Sequence, residues 1–162
     1  AENGSIYASY ATSSNPVGVD AGDGSEGIST GTSAYINDLD PEEVKTYEIG
    51  TKWDVLNNRL NLTAAIFRTE KTNTRATDTD GLTRNIGETR VDGIELGANG
   101  NITNKWAVSV GYTYLDSELI DGGFTKVGSD YVASPNNGNQ VQNVAKNSAT
   151  LWTTYQVLPQ LN

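Results

Sequence analysis

Tyr47-Glu48-Ile49-Gly50-Thr51-Lys52-Trp53-Asp54-Val55 and Leu60-Asn61-Leu62-Thr63-Ala64-Ala65-Ile66-Phe67 stand on either side of Leu56-Asn57-Asn58-Arg59. In the first run the odd positions are mostly apolar and the even ones polar or small; in the second, Leu60, Leu62, Ala64 and Ile66 carry the apolar character. Period two marks a strand with one greasy face, and two such runs across a short polar turn predict a tight antiparallel hairpin.

The pattern recurs downstream. Ile94, Leu96 and Ala98 alternate with Glu95, Gly97 and Asn99, a turn follows at 101–105, and Trp106, Val108, Val110, Tyr112 and Tyr114 then share one face. Tyr47-Glu48-Ile49-Gly50 is echoed by Ile94-Glu95-Leu96-Gly97, and the run from Arg59 to Ile66 by that from Lys105 to Tyr112, so one hairpin design is used twice. SIYASYA at 5–11 is β-prone, and SATLWTTYQVL at 148–158 makes a sixth strand. The facing of that last strand stays open, because Leu151 and Tyr155 have the opposite parity to Trp152.

Polar stretches expected as long loops, at about 12–45, 72–88 and 117–147, alternate with turns of only about four or five residues. Outer-membrane barrels, with long extracellular loops and short periplasmic turns, produce this rhythm, whereas long loops are uncommon in compact soluble domains. The aromatics agree. Trp53 and Trp106 flank the short turns, and Tyr47, Tyr112 and Tyr114 lie six to eight residues away on the same faces, roughly 15 to 20 Å for tilted strands. These five residues are the expected membrane girdle, and Lys52, Asp54, Asn61, Thr63, Glu95 and Asn99 would line a wet lumen. Two other architectures share the alternation: a passive porin or adhesin-type barrel, and a soluble secreted β-sandwich binding module whose aromatics would be core.

Composition narrows the chemistry. The 162 residues include no Cys, His or Met, and 20 acidic against 11 basic side chains give a net charge of −9. No disulfide, thiolate metal site or Ser-His-Asp triad is available, and acidic pairs such as Glu42-Glu43 lie in loops without an apolar pocket to shift them, so catalysis has no positive support. Residues 1–44 carry −8 and the first basic residue is Lys45, so the acidity belongs to one segment and a nucleic-acid partner is not expected. Asp20-Ala21-Gly22-Asp23-Gly24 and Asp78-Thr79-Asp80-Gly81 invite a calcium reading, yet neither matches the EF-hand spacing or a nonapeptide repeat; no metal or cofactor is expected.

Even the smallest bacterial membrane barrels need eight strands, and an open sheet edge in lipid is prohibitive. Six strands are therefore expected to be part of a longer polypeptide.

LDPEEVKTYEIGTKWD at 39–54 with RLNLTAAIFRTEKTN at 59–73, and then RVDGIELG at 90–97 with GYTYLD at 111–116, resembles the barrel of TonB-dependent siderophore receptors, especially the catecholate type. The resemblance covers roughly residues 5–158. It implies that 1–162 is a partial, all-β antiparallel transmembrane barrel, about six strands of a 22-stranded one, in the outer membrane of a Gram-negative bacterium. It further implies import of ferric siderophore with energy from the TonB complex acting through a plug domain. The plug, the TonB box and the final barrel strand are not among these residues.

Ferric catecholates are anionic, so their binding surface should offer cations and aromatic rings. Lys71, Arg75, Arg84, Lys126 and Tyr131, near the extracellular ends, are the candidates. Parity puts Lys71 on the lumen face and Arg68 and Glu70 on the outer face. Arg68 and Arg90 are expected there either beside lipopolysaccharide phosphates or in cross-strand pairs with Glu70, Glu88 or Asp92.

Overall fold

The computed structural model describes residues 3–15 and 40–158. Its elements are β1 (Gly4–Asn15), β2 (Glu42–Val55), β3 (Leu60–Thr77), β4 (Thr83–Thr103), β5 (Trp106–Asp121), β6 (Phe124–Val127), β7 (Asp130–Ala133) and β8 (Asn147–Tyr155). Six of them form one antiparallel sheet in the order β1-β2-β3-β4-β5-β8, and β6 pairs with β7 in a small hairpin of its own.

The register confirms the period-two reading, because residues directly opposite one another share a face. Ala8, Ile49, Ile66, Ile94 and Tyr114 form one row, and Trp53, Leu62, Ala98, Val110 and Leu151 another. Lys52, Thr63, Gly97 and Gly111 share the opposite face. Pairing also settles β8: Leu151 opposes Val110 and Tyr155 opposes Trp106, so both belong to the apolar face and Trp152, opposite Ser109, to the other. Only a neighbouring strand carries that information.

No hydrophobic side chain is buried among the described residues, while Ile49 and Ile66 are each 57% exposed. A β-sandwich would hide such side chains between two sheets. Here the apolar face has no protein partner, as a barrel wall against hydrocarbon requires.

The two Trp sites are offset by four rows. Trp53 lies in the row of Val110, whereas Trp106 lies four residues farther along β5. For strands tilted by about 40°, sites at one height three strands apart are displaced along the strand by about 12 Å, close to four residues. The displacement therefore puts both indoles at one membrane level. Three of the aromatics expected as a girdle find partners within the sheet: Trp53 Nε1 donates to Thr51 Oγ1 at 2.6 Å, Trp106 Nε1 to Thr153 Oγ1 at 2.8 Å, and the Tyr112 hydroxyl to Asn147 Oδ1 at 2.8 Å.

Two of the expected loops differ. Strand pairing continues through most of 72–88, from Thr72 to Thr77 and from Thr83 upward, with irregular register between Lys71 and Arg75 and a turn of only 78–82. Both faces of this extension meet water, so it carries no apolar alternation, yet its threonines suit a ladder. Within 117–147, β5 runs to Asp121 and β6 and β7 make a second hairpin. The expected loop at 12–45 is strand to Asn15 and again from Glu42; residues 16–39, with Asp20-Ala21-Gly22-Asp23-Gly24, Glu26 and Asp38, lie outside the described residues.

The short turns are built from unusual backbone. Leu56, Asn57 and Asn58 are consecutive left-handed residues, φ 55°, 57° and 62°, closed by the Arg59 N–H donating to the Val55 carbonyl at 3.1 Å. Asn tolerates that region and Leu does so at a cost. Beside them Gly100 has φ 135°, and a Cβ there would strike the Arg59 carbonyl and the Leu60 backbone. Gly100→Val is therefore expected to destabilise the folded barrel of the parent protein by about 2 to 4 kcal/mol through combined overpacking and strain, read as an earlier loss of the compact, heat-modifiable band on titration with denaturant in micelles. An unshifted transition would contradict the close approach.

Candidate functional site

The end of the sheet expected to be extracellular is built from two hairpins that dock on one another. On the β3–β4 tip, Asp78 accepts from the Thr79 amide at 2.6 Å, Asp80 accepts from the Leu82 amide at 3.0 Å, and the Asp78 N–H donates to the Leu82 carbonyl at 2.8 Å. The Asp80 bond to the amide two residues on is an Asx turn, the usual work of Asp in a tight loop. Arg84 joins both carboxylates, Nε to Asp78 at 2.8 Å and Nη2 to Asp80 at 2.6 Å. The Asp78–Gly81 run that invited a calcium reading thus spends its carboxylates on the turn and on Arg84.

The β6–β7 hairpin meets this tip through two glycines. Gly81, φ 81°, has the Tyr131 hydroxyl where a Cβ would be, and Gly123, φ 71°, packs against Ala76 and the Thr77 backbone. Lys126 and Tyr131 are cross-strand partners, with the ammonium 6.0 Å from the ring centroid. Three of the candidates, Arg84, Lys126 and Tyr131, therefore belong to one assembly of two hairpins. Arg75 sits on the stem just below, opposite Asn85. Lys71 is lower still, across from Thr89, and is held by Glu42 at 2.8 Å.

A third part, missed in the sequence because it reads only as polar loop, fixes the assembly to the wall. Beyond Tyr114 the edge of β5 is left by β8, and the returning chain takes it over: the Leu115 amide donates to the Lys146 carbonyl at 2.9 Å, the Leu119 amide to the Asn139 carbonyl at 2.9 Å and the Gly138 amide to the Leu119 carbonyl at 2.8 Å. Asn137 Oδ1 accepts from the Gly122 amide at 2.8 Å, and Ser134, 9% exposed, donates its amide to the Gly123 carbonyl at 2.8 Å. An otherwise open strand edge is thereby closed. The Asn-Gly-Asn run at 137–139 was the available signal, since only a folded turn needs it there.

On the outer face a ladder of alternating charge crosses the sheet above the apolar rows. Arg68 forks onto Asp92 at 2.7 and 3.0 Å, Arg90 reaches Glu118 at 2.6 Å and Asp92 at 3.5 Å, and Lys45 pairs with Glu43 at 3.2 Å. Arg68 takes the expected cross-strand partner Asp92, whereas the cross-strand partner of Arg90 is Glu118, with Asp92 a neighbour on its own strand; Glu118 is not legible in the sequence because the upper part of β5 lacks alternation.

A family model described as TonB dependent receptor-like, beta-barrel matches residues 1–162. The chain is 59% identical over 163 positions, 99% of its own length and 21% of the relative's, to the protein described as the probable TonB-dependent siderophore receptor PiuA of Acinetobacter baumannii. It is 38% identical over 159 positions, 96% and 19% of the two lengths, to the catecholate siderophore receptor Fiu of Escherichia coli K12. Among solved structures it matches the crystal structure of the siderophore receptor PiuA from Acinetobacter baumannii with a TM-score of 0.81 at 58% identity, covering 99% of this chain and 23% of that one. The chain spans about a fifth of the length of the curated relatives it matches.

The Leu82 amide, and secondarily Arg84, hold the Asp80 carboxyl below the usual carboxylate range. A depressed folded pKa means that the tip's order is complete above the ordinary carboxylate pKa and is lost as pH falls through the folded value. Arg84→Gln is expected to raise the Asp80 titration midpoint part of the way to the ordinary value, since the amide remains; carboxyl carbon shifts of the parent protein in micelles would report it, and an unmoved midpoint would contradict the pairing.

Proposed function

We propose, from the premise that this chain belongs to the TonB-dependent receptor β-barrel family, that it is a section of an outer-membrane receptor wall for import of ferric siderophore. The observation that carries the reading is the 59% identity over 99% of the chain to a protein described as a probable siderophore receptor; the 38% identity to a catecholate receptor favours the catecholate type. Uptake by a full receptor of this family is driven by the TonB complex through a plug inside the barrel, and we assign that partner to the parent protein. The family is one of receptors, so the section works by binding and passage rather than by chemistry, and the ferric chelate is cargo rather than cofactor.

Within the section, we assign first contact with the anionic chelate to the docked hairpins. Lys126 supplies a cation without a carboxylate partner among the described residues, and Tyr131 supplies the ring beneath it. Charge-assisted contact and stacking suit a negatively charged aromatic chelate. Arg75 and Arg84 sit within the same hairpin and raise its positive potential, Arg84 at the cost of being shared with Asp78 and Asp80. Lys71, paired with Glu42, contributes least. On the outside, the apolar rows meet acyl chains and the charged ladder meets the lipopolysaccharide headgroup layer.

Replacing Lys126 and Tyr131 together by Ala in the full-length receptor is expected to weaken binding of a ferric catecholate roughly tenfold without altering the folded, heat-modifiable barrel. Fluorescence titration with the ferric chelate measures it, and unchanged affinity would overturn the assignment.

A further inference from the structure

The two short turns at the opposite, periplasmic end lie side by side. The Asn101 amide donates to the Arg59 carbonyl at 2.7 Å, and Arg59 Nη1 donates to Asn104 Oδ1 at 2.7 Å, so the first turn is tied to the second. Arg59 Nε donates back to the Leu56 carbonyl at 3.0 Å. Its guanidinium is thus oriented by two neutral acceptors and keeps further N–H donors in hand. The Gln156 amide donates to the Lys105 carbonyl at 2.8 Å, which brings the end of β8 alongside. Between them lies a cleft of about 370 Å³ lined by Arg59, Ile102, Thr103, Asn104, Lys105 and Tyr155.

Charge distinguishes this end from the other. Above the apolar band Lys45, Arg68, Lys71, Arg84, Arg90 and Lys146 each pair with a carboxylate. Around the cleft, among the described residues, no carboxylate pairs with Arg59 or Lys105, and both are exposed. Apolar side chains stand exposed at this end: Tyr155, which lines the cleft, at 63%, Leu56, in the turn that Arg59 closes, at 44%, and Val157, just past β8, at 75%. Leu56 is presented by a left-handed residue, a conformation costly for Leu and common where a side chain has a task.

We propose that this cleft binds the phosphate of an anionic phospholipid headgroup in the periplasmic leaflet. A fixed guanidinium and a neighbouring ammonium make a charge-assisted seat for phosphate, and Leu56, Tyr155 and Val157 receive the start of the acyl chains. The level is right as well as the charge. Lys105 directly precedes the girdle residue Trp106, and Tyr155 is the cross-strand partner of Trp106, so the cations stand where headgroups begin. Exposed apolar side chains at that level suit a lipid better than an acidic protein, which would need a polar rim around them. The proposal uses only the barrel section and its orientation, and does not depend on which chelate is imported.

The test uses the full-length receptor in neutral-detergent micelles, loaded with equal amounts of phosphatidylglycerol and phosphatidylethanolamine and examined by native mass spectrometry. Wild type is expected to retain phosphatidylglycerol roughly tenfold over phosphatidylethanolamine, Arg59→Gln with Lys105→Gln to lose that preference, and Arg59→Lys with Lys105→Arg to keep most of it. Arg68→Gln with Arg90→Gln, at the other rim, is the control and should leave the preference unchanged. Equal retention of the two lipids by wild type, a preference that survives the Gln pair, or glycerol phosphate competing as well as the lipid would each overturn the proposal. The compact band on unheated gels certifies that every variant is folded, so a lost preference reads as a lost site. Chelate titration on the same samples separates this outcome from a failure of the import reading.

Discussion

In hydrocarbon no water is available to a backbone amide or carbonyl, so each must find its partner within the sheet. Everything else about this chain follows from that constraint. The strands of the sheet run antiparallel throughout, with the turns between β2 and β3 and between β4 and β5 kept short, the first by three consecutive left-handed residues. Where β8 leaves β5 at Tyr114, the chain from 134 to 146 returns to occupy the vacated edge. Among the described residues the outer edges of β1 and β8 have no neighbouring strand, and the same requirement means that such edges are paired wherever a sheet stands in lipid.

Satisfying the backbone inside one layer frees the side chains from building a core. An ordinary domain gains its stability by hiding Ile and Leu in protein; here Ile49, Ile66 and Ile94 stand on the surface, and the membrane removes them from water instead. The opposite face carries Lys52, Thr63 and Glu95, as a hydrated interior allows. Tyr7 lies over Gly50 and Phe67 over Gly93, so rings on that interior face are accommodated where the neighbouring strand lacks a Cβ.

The two rims divide their tasks by charge. At the extracellular end, carboxylates tie down most cations, Asp80 with Arg84 and Asp92 with Arg68, so those cations shape hairpins and wall as much as they attract anions. Lys126, whose ammonium lies 6.0 Å from the Tyr131 ring, has no carboxylate partner among the described residues. At the opposite end Arg59 and Lys105 have no carboxylate partner among the described residues and stand near exposed apolar side chains, a composition that fits a fixed anionic layer.

Alternation in β2 to β5 was legible because one face meets lipid and the other water, and a difference of solvent writes period two into the residues. Leu60 to Ile66 and Trp106 to Tyr114 carry it plainly, and with them the strands of the sheet and their apolar face. The family's own residues, from Leu39 to Asn73, added the receptor reading. Above the membrane both faces meet water, the alternation vanishes, and the hairpin stems within 72–88 and 117–121 read as loop although strand pairing continues through them with irregular register. The side to which Trp152 belongs, the docking of Tyr131 on Gly81, the choice of Asp92 and Glu118 by the outer arginines and the meeting of Arg59 with Asn104 are all relations between strands. Local sequence determines which residues prefer which solvent; only the register of pairing, set along the whole ladder at once, decides which of them meet.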